Sequence, residues 1–385
     1  MDFTLSDAHQ QVADTIRDFG EREIAPFAST WDREERFPME TVKKLGRLGF
    51  LGVSLPEDVG GGGADTLTNA LVVEGVARYD ASFGLTVASH GGLASGHINL
   101  FAGDHLRRRY LPKLATGEWL GAWCLTEPGS GSDAGALRTR AVRDGDHWVL
   151  DGAKMFITQG SVANVYVVLA STAADKGTGG VSAFVVERGT PGLGNGRKIE
   201  KLGLRSSDTA EVVLENVRIP ADHLIGEEHQ GFKQALRILD GGRITIAAWC
   251  CGIARGALEE SLAYAKERRT FGKPIAEHQA VQLMLADMAT RLDAARCLLF
   301  RACWLKDQGR PFGTEASMAK LVASEAAMWA TTKAVQIHGG YGYMRDLPVE
   351  RYMRDAKLGE IGEGTSEVQR IVIARAVLRD GLTEL

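Results

Sequence analysis

The chain has 385 residues, 44% hydrophobic and 24% charged, long enough for two or three domains around large buried cores. Its formal charge is −4 with the two signs intermixed, which speaks against nucleic acid or an anionic membrane surface as partner, and no apolar run reaches the length of a membrane span. The five cysteines, Cys124, Cys250, Cys251, Cys297 and Cys303, include no Cys-x-x-Cys pair and read as buried free thiols of a reducing compartment, not as a disulfide framework or zinc site.

Met1-Asp2-Phe3-Thr4 leads directly into a helical pattern without the character of a signal or transit peptide, so the expected location is the cytoplasm. Leu5, Val12, Ile16 and Phe19 recur at helical spacing, and beyond Pro26 a second run passes through Val42, Leu45 and Leu48. Residues 1–119 therefore read as a helical domain. Gly60-Gly61-Gly62-Gly63 after Pro56 reads as a flexible turn between helices; no strand precedes it, which argues against a phosphate cradle.

From 120 to 228 the period switches to two. Trp148-Val149-Leu150, Val165 to Leu169, Val181 to Val186 and Glu211 to Leu214 read as short strands separated by Gly, Asp and Asn turns, with Pro220 ending the region. With no long helices between them, they predict an antiparallel β domain instead of a doubly wound sheet. From 229 to 385 the pattern is helical again. Leu285, Met288, Leu292, Ala295 and Leu299 mark a bundle seam, and Ala316, Ala319, Ala323, Ala326, Ala330 and Ala334 form a stripe of small residues suited to close helix packing.

Four segments carry candidate chemistry. Gly129-Ser130-Gly131-Ser132-Asp133-Ala134, inside Leu125 to Gly135, matches a dinucleotide fingerprint by letter, and Asp151 falls near the distance of a ribose acid. The fingerprint needs a helix after its turn, and Ala136 to Asp146 has no helical stripe. What remains is either a polar hairpin loop or a loop whose backbone N–H groups and Ser132 bind a phosphate. Phe156-Ile157-Thr158, ahead of Gln159, reads as a strand end that packs on a flat heterocycle or merely closes a sheet. Glu267 to Gly272 closes a long helix with Gly272 as C-cap candidate; its basic residues complement the helix dipole or clamp a pyrophosphate. The nine histidines show no metal spacing, and His338 reads as structural.

The fourth segment is Gly362-Glu363-Gly364-Thr365-Ser366, before an amphipathic helix from Glu367 to Leu378, with Ser366 and Gln369 fitting a capping box. A single carboxylate between glycines at a helix start suits a general base, and it also suits an ordinary helix start.

Together, Leu125 to Asp133, the Arg-x-Thr-Phe-Gly segment from Arg268, Gln336 to Gly340, and Glu363 to Ser366 resemble the acyl-CoA dehydrogenase family from end to end, closest to its short-chain and general bacterial members. The resemblance implies an α+β multidomain fold: an N-terminal helical domain (1–119), a central antiparallel β domain (120–228) and a C-terminal four-helix bundle (229–385). It implies a homotetramer, a dimer of dimers, holding FAD where subunits meet. Glu363 would remove the α-proton of a bound acyl-CoA, the β-hydrogen would leave as hydride to the flavin, and the product would be a trans-2-enoyl-CoA. The Glu363 backbone N–H would help polarise the thioester carbonyl. Leu125, Thr126, Ser132, Phe156, Ile157 and Thr158 would contact the flavin, with Ser132 also touching the CoA arm. Arg268, Phe271, Gln279, Gln336 and Gly340 of a neighbouring subunit would hold the adenine and pyrophosphate end, and Thr365 and Glu367 would complete the flavin site. Asp240, Arg243 and Gly364 would line the substrate channel.

Four positions bear on the base and the substrate. Where one subgroup carries its base on the earlier helix this chain has Gly242, which leaves Glu363 without a rival. Gly362 replaces a tyrosine found in many straight-chain members, as Phe156 replaces a tryptophan, and Gly84 stands where glutaryl-CoA dehydrogenases carry an arginine. The expected activity is α,β-dehydrogenation of short- or medium-chain acyl-CoA, branched or cyclic ones included, with electrons passed to electron-transfer flavoprotein. An oxidase, a dehydrogenase of carrier-protein-bound acyl groups and a non-catalytic scaffold remain as alternatives.

Overall fold

The computed structural model describes residues 4–381. Met1 to Phe3, on which the leader reading rests, and residues 382–385 lie outside them. Seven helices open the chain: α1 Asp7–Phe19, α2 Ala25–Glu34, α3 Met39–Arg47, α4 Thr66–Ala77, α5 Ala81–Ala88, α6 Gly96–Phe101 and α7 Asp104–Ala115. Their starts are set by short polar side chains: Ser6, Asp65 and Asp80 each accept from a backbone N–H of the first turn of α1, α4 and α5. The glycine run 60–63 is not loose. Gly61, Gly62 and Gly63 donate to Pro56, Gly52 and Leu55 carbonyls, so the segment is a hydrogen-bonded turn.

The middle of the chain is one sheet of β1 Gly121–Cys124, β2 Arg140–Asp144, β3 His147–Thr158, β4 Val165–Ser171, β5 Val181–Glu187, β6 Leu193–Lys198 and β7 Thr209–Pro220. The order is β1-β4-β2-β3-β7-β6, with β5 on the other side of β4. Antiparallel pairing joins β2 to β3, β3 to β7, β6 to β7 and β4 to β5, whereas β1 lies parallel to β4 and β2 meets β4 in one parallel pair. Strands β4 and β5 are apolar almost throughout because both faces are covered, which is why their runs do not alternate. Val165, Val167 and Leu169 pack with Leu106, Tyr110 and Leu114 of α7, while Tyr166 and Val168 turn to a second core with Trp148, Leu150 and Phe184.

Three long helices follow, α8 Gly231–Glu267, α9 Gln279–Asp307 and α10 Gly313–His338, then α11 Val349–Ala356 and α12 Ser366–Asp380. The six alanines of the α10 stripe are all buried, as are Met288, Leu292, Ala295 and Leu299 of α9. Cys297 departs from the expected buried thiols: it falls on the outward side of α9 and is exposed. Phe19, Val76 and Phe83 share one core with Trp249, Ile253 and Ala323, so the first and last segments of the chain form a single helical body. Two boundaries differ from expectation. Helix α8 ends at Glu267, and Arg269–Thr270 pairs with Lys273–Pro274 in a hairpin whose tip is Phe271-Gly272; both tip residues have positive φ (52° and 82°), as a tight two-residue turn with the twist of its strands requires. Gly272 is therefore a turn residue and not a C-cap. Helix α12 is capped by Thr365, whose Oγ1 accepts from Val368 N at 3.3 Å, and not by a Ser366–Gln369 box. Among the described residues, no helix is long and apolar enough to cross a membrane.

Candidate active site

After the turn Lys357–Glu360 the backbone takes left-handed φ at Glu363 (51°) and Gly364 (91°) before α12 begins. For a residue with a Cβ this conformation costs on the order of 1 kcal/mol or more and needs support from its surroundings. That support is specific. Lys320 Nζ of α10 donates to Gly364 O at 2.7 Å, and Gln369 Nε2 of α12 donates to Glu363 O and Gly364 O at 3.1 and 3.0 Å. Gln369 thus holds the carbonyls of the preceding turn, and with Thr365 as the N-cap it falls one residue beyond the capping-box position, which Val368 occupies.

The carboxylate so placed is unusual. Glu363 Oε2 is buried without a hydrogen-bond partner, and it lies against α8 so closely that a Cβ on Gly242 would come within 2.1 Å of it. Burial pushes the Glu363 carboxyl up to about 7, against the pull of the Lys320 and Arg243 charges. Arg243, one residue from Gly242, is buried and donates through Nη1 to Asp240 Oδ1 (2.7 Å) and Ser317 Oγ (3.2 Å). Burial also raises the Asp240 carboxyl, opposed by Arg243. Glu363, Gly364, Gly242, Arg243 and Asp240 therefore meet in one place. A carboxyl poised near neutral pH with an open lone pair can take a proton from a weakly acidic C–H.

Leu125 and Thr126 leave β1 and are locked to β3: Met155 N donates to Thr126 O at 2.8 Å. Next to them Glu127 accepts from Lys154 Nζ (2.7 Å) and from the amides of Arg138 and Thr139, while Lys154 also reaches Leu125 O. The β3–β7 register shifts between Lys154 and Ile157, and Phe156 at that irregularity has φ 59° and is 62% exposed. The aromatic face is turned outward beside half-buried Thr158, whereas Ile157 and Leu125 are buried. Ser132 is exposed on the loop that follows, which passes through a short turn at Ala134–Ala136 into β2; no helix follows it. Thr365 caps α12, and Glu367 is exposed on its first turn.

At the far end of α8, Arg268 lies over the Tyr341 ring (5.5 Å), and Tyr264 stacks on His338, the last residue of α10 (4.2 Å). With Thr270, Gly340 and Met344 they line an open groove of about 580 Å³. Phe271 at the hairpin tip is 96% exposed, and Gln336 and Gln279 are exposed nearby in sequence. Among the described residues, no hydrogen bond or ring contact joins this group to Glu363 or to the Leu125–Thr158 group.

Sequence reasoning missed Lys154 and Lys320, and gave Gln369 a capping role only. The first two carried a signal. Lys154 falls on the inward parity of β3 with Trp148 and Leu150, and Lys320 interrupts the buried alanine stripe of α10. A lysine on an inward-facing position is a buried charge with a task.

Models of the N-terminal, middle and C-terminal domains of acyl-CoA dehydrogenase match residues 6–118, 122–217 and 229–378. The chain is 45% identical over 379 residues to the short-chain specific acyl-CoA dehydrogenase of Clostridium acetobutylicum, covering 98% of this chain and all of that one. It superposes with a TM-score of 0.97 on butyryl-CoA dehydrogenase from Megasphaera elsdenii, at 42% identity over 98% of this chain and 100% of the other. A chain solved in work on the electron transferring flavoprotein of Acidaminococcus fermentans gives 0.98, at 44% identity over 99% and 100%.

Proposed function

This chain belongs to the acyl-CoA dehydrogenase family, and from that premise we propose that it converts short acyl-CoA thioesters to trans-2-enoyl-CoA with Glu363 as the base for the α-proton. The observation that carries the assignment of the base is the sealed, unpartnered Glu363 Oε2 held against Gly242 by a left-handed turn. The α-proton would pass to the Glu363 carboxylate, and the Glu363 N–H would face the thioester oxygen.

The chain fits FAD. Phe156 offers an exposed aromatic face beside Thr158, and a Cβ at Gly129, Gly131, Gly339 or Gly340 would meet nothing within 4 Å, leaving backbone N–H groups approachable. Leu125, Thr126, Ser132, Phe156, Ile157, Thr158, Thr365 and Glu367 would hold the isoalloxazine side. Arg268, Phe271, Gln279, Gln336 and Gly340 would serve the adenine side of a neighbouring subunit, which accounts for Phe271 lying bare in a single chain. When bound, FAD supplies the acceptor that takes the β-hydrogen with its electron pair. A homotetramer of three-domain subunits, divided at 119/120 and 228/229, and electron-transfer flavoprotein as acceptor complete the proposal; the likeness to the Acidaminococcus chain supports the acceptor.

Three positions speak for the acyl group. Trp249 lies seven residues beyond Gly242 on α8, two turns along the same face and about 10 Å deeper. It is fully buried, its Nε1 donates to Ala81 O at 2.7 Å, and Gly84 and Gly359 both pack on its ring. A chain entering past Glu363 along α8 would end at this indole. At Gly84 any side chain would collide with Ala77 and Trp249, which supports the absence of a distal-carboxylate partner. Gly362 is different: its backbone is ordinary, and a Cβ there would touch only Leu358 at 3.4 Å or more, so the missing side chain leaves room beside the reacting carbons.

Anaerobic titration of the flavin-loaded protein tests this. Butyryl-CoA and isobutyryl-CoA should bleach the flavin at comparable rates and octanoyl-CoA poorly. Trp249→Ala should gain at least about tenfold in octanoyl over butyryl preference, since each methylene admitted is worth about 0.8 kcal/mol. Strict straight-chain activity would remove the role given to Gly362, and absence of bleaching with every thioester would remove the function itself.

A further inference from the structure

Lys320 is fully buried in a helix stripe whose other members, Ala316, Ala319 and Ala323, are methyl groups packed against neighbouring helices. An ammonium in such a place loses its hydration, which costs several kcal/mol and pushes its own pKa below the ordinary value. Packing alone gives no reason for it. Its ammonium donates to Gly364 O, the carbonyl that follows the candidate base.

The titratable groups around the turn are few. Cys250 and Arg243 of α8, with Glu360 and Glu363 of the segment before α12, face Lys320; Lys320 and Arg243 face Glu363. Of the two cations, Arg243 is engaged with Asp240 and Ser317. Lys320 is bonded to the turn that carries Glu363. Taking the proposed function as its premise, we propose that Lys320 is a positioning residue of the reaction: it clamps the left-handed Glu363–Gly364 turn and supplies the positive charge that lets the sealed Glu363 carboxylate exist as an anion.

The test compares wild type, Lys320→Met, Lys320→Gln and Lys320→Arg as flavin-loaded protein, following anaerobic reduction by butyryl-CoA as a function of pH. In wild type the rate should rise with pH and level off above a midpoint near 7. Lys320→Met should move the midpoint up by about one unit or more and lower the rate at neutral pH about tenfold or more, with binding of butyryl-CoA little changed. Lys320→Gln keeps a donor for Gly364 O but no charge, so it should fold and load flavin even if Lys320→Met does not, and still show the shifted midpoint. Lys320→Arg should restore the midpoint towards wild type. An equal loss at every pH with an unmoved midpoint, or no loss at all, would overturn the proposal. Titration of the Glu363 carboxyl by its infrared C=O band, assigned with Glu363→Gln, separates this from failure of the function: the band should titrate higher without the Lys320 charge whichever thioester is the substrate, and an unshifted band overturns the role of Lys320 alone.

Discussion

Glu363→Gln should yield a protein that folds, binds flavin and binds butyryl-CoA, yet reduces its flavin about 10²- to 10⁴-fold more slowly, the range a positioned proton acceptor contributes. The substitution keeps shape, and the carboxylate oxygen it removes has no partner in the protein, so no donor is stranded. Gln369 and Lys320 bind main-chain carbonyls and continue to hold the turn. The same variant should lose a pH dependence of stability. Burial lifts the Glu363 carboxyl from an ordinary 4.5 to about 7, so between those values the native protein keeps a proton that the unfolded chain releases. Wild-type stability contributed by this group is therefore present below about 4.5 and lost as pH rises through about 7, on the order of 3 kcal/mol in all. A melting series against pH should show that fall in wild type and a flatter profile in Glu363→Gln. Undiminished flavin reduction by the variant would mean that another group takes the proton.

Lys154→Met should destabilise the protein by about 3–5 kcal/mol, the usual result of removing one member of a buried pair. Lys154 and Glu127 are both buried with 2.7 Å between them, on β3 and on the strand end that presents Leu125 and Thr126. Burial pushes the Glu127 carboxyl up, but the Lys154 ammonium and the amides of Thr139 and Arg138 more than offset it and hold the group below its ordinary value. Without Lys154 the carboxylate keeps two backbone donors and loses its countercharge. The strain falls on the segment whose main chain is bonded to Met155, next to exposed Phe156. Weaker flavin retention is therefore expected along with a lower melting temperature, and a double variant Lys154→Met, Glu127→Leu should recover part of the stability because it removes the stranded charge. A single variant as stable as wild type would show that the pair is dispensable.

Much of the fold was legible because periodicity is local. The period of 3.6 in Leu285 to Leu299 and in the α10 alanines predicted buried faces; Met288, Leu292, Ala295, Leu299 and the six alanines are buried, and Leu285 is half-buried. The sharp change at the β region needed only the runs from Val165 and Val181. The misread details were those in which one residue had competing uses. Gln369 fits a capping box by its spacing from Ser366, but Thr365 is the cap and the Gln369 amide holds the carbonyls of a left-handed turn. Gly272 fits a helix end by composition, but a two-residue hairpin needs positive φ at that place.

The sequence by itself determined the family, through four motifs in order, and singled out Glu363 as a carboxylate between glycines at a helix start. Only the tertiary structure decided what that carboxylate experiences. Gly242 of α8 comes against Oε2, Lys320 reaches Gly364 from 44 residues away, and Lys154 meets Glu127 across 27. Contacts of this kind join residues that no common period relates, and they arise when helices and strands pack. Low dielectric, a countercharge and a missing Cβ then act on one group at once, and their balance brings a carboxyl of ordinary chemistry to about 7.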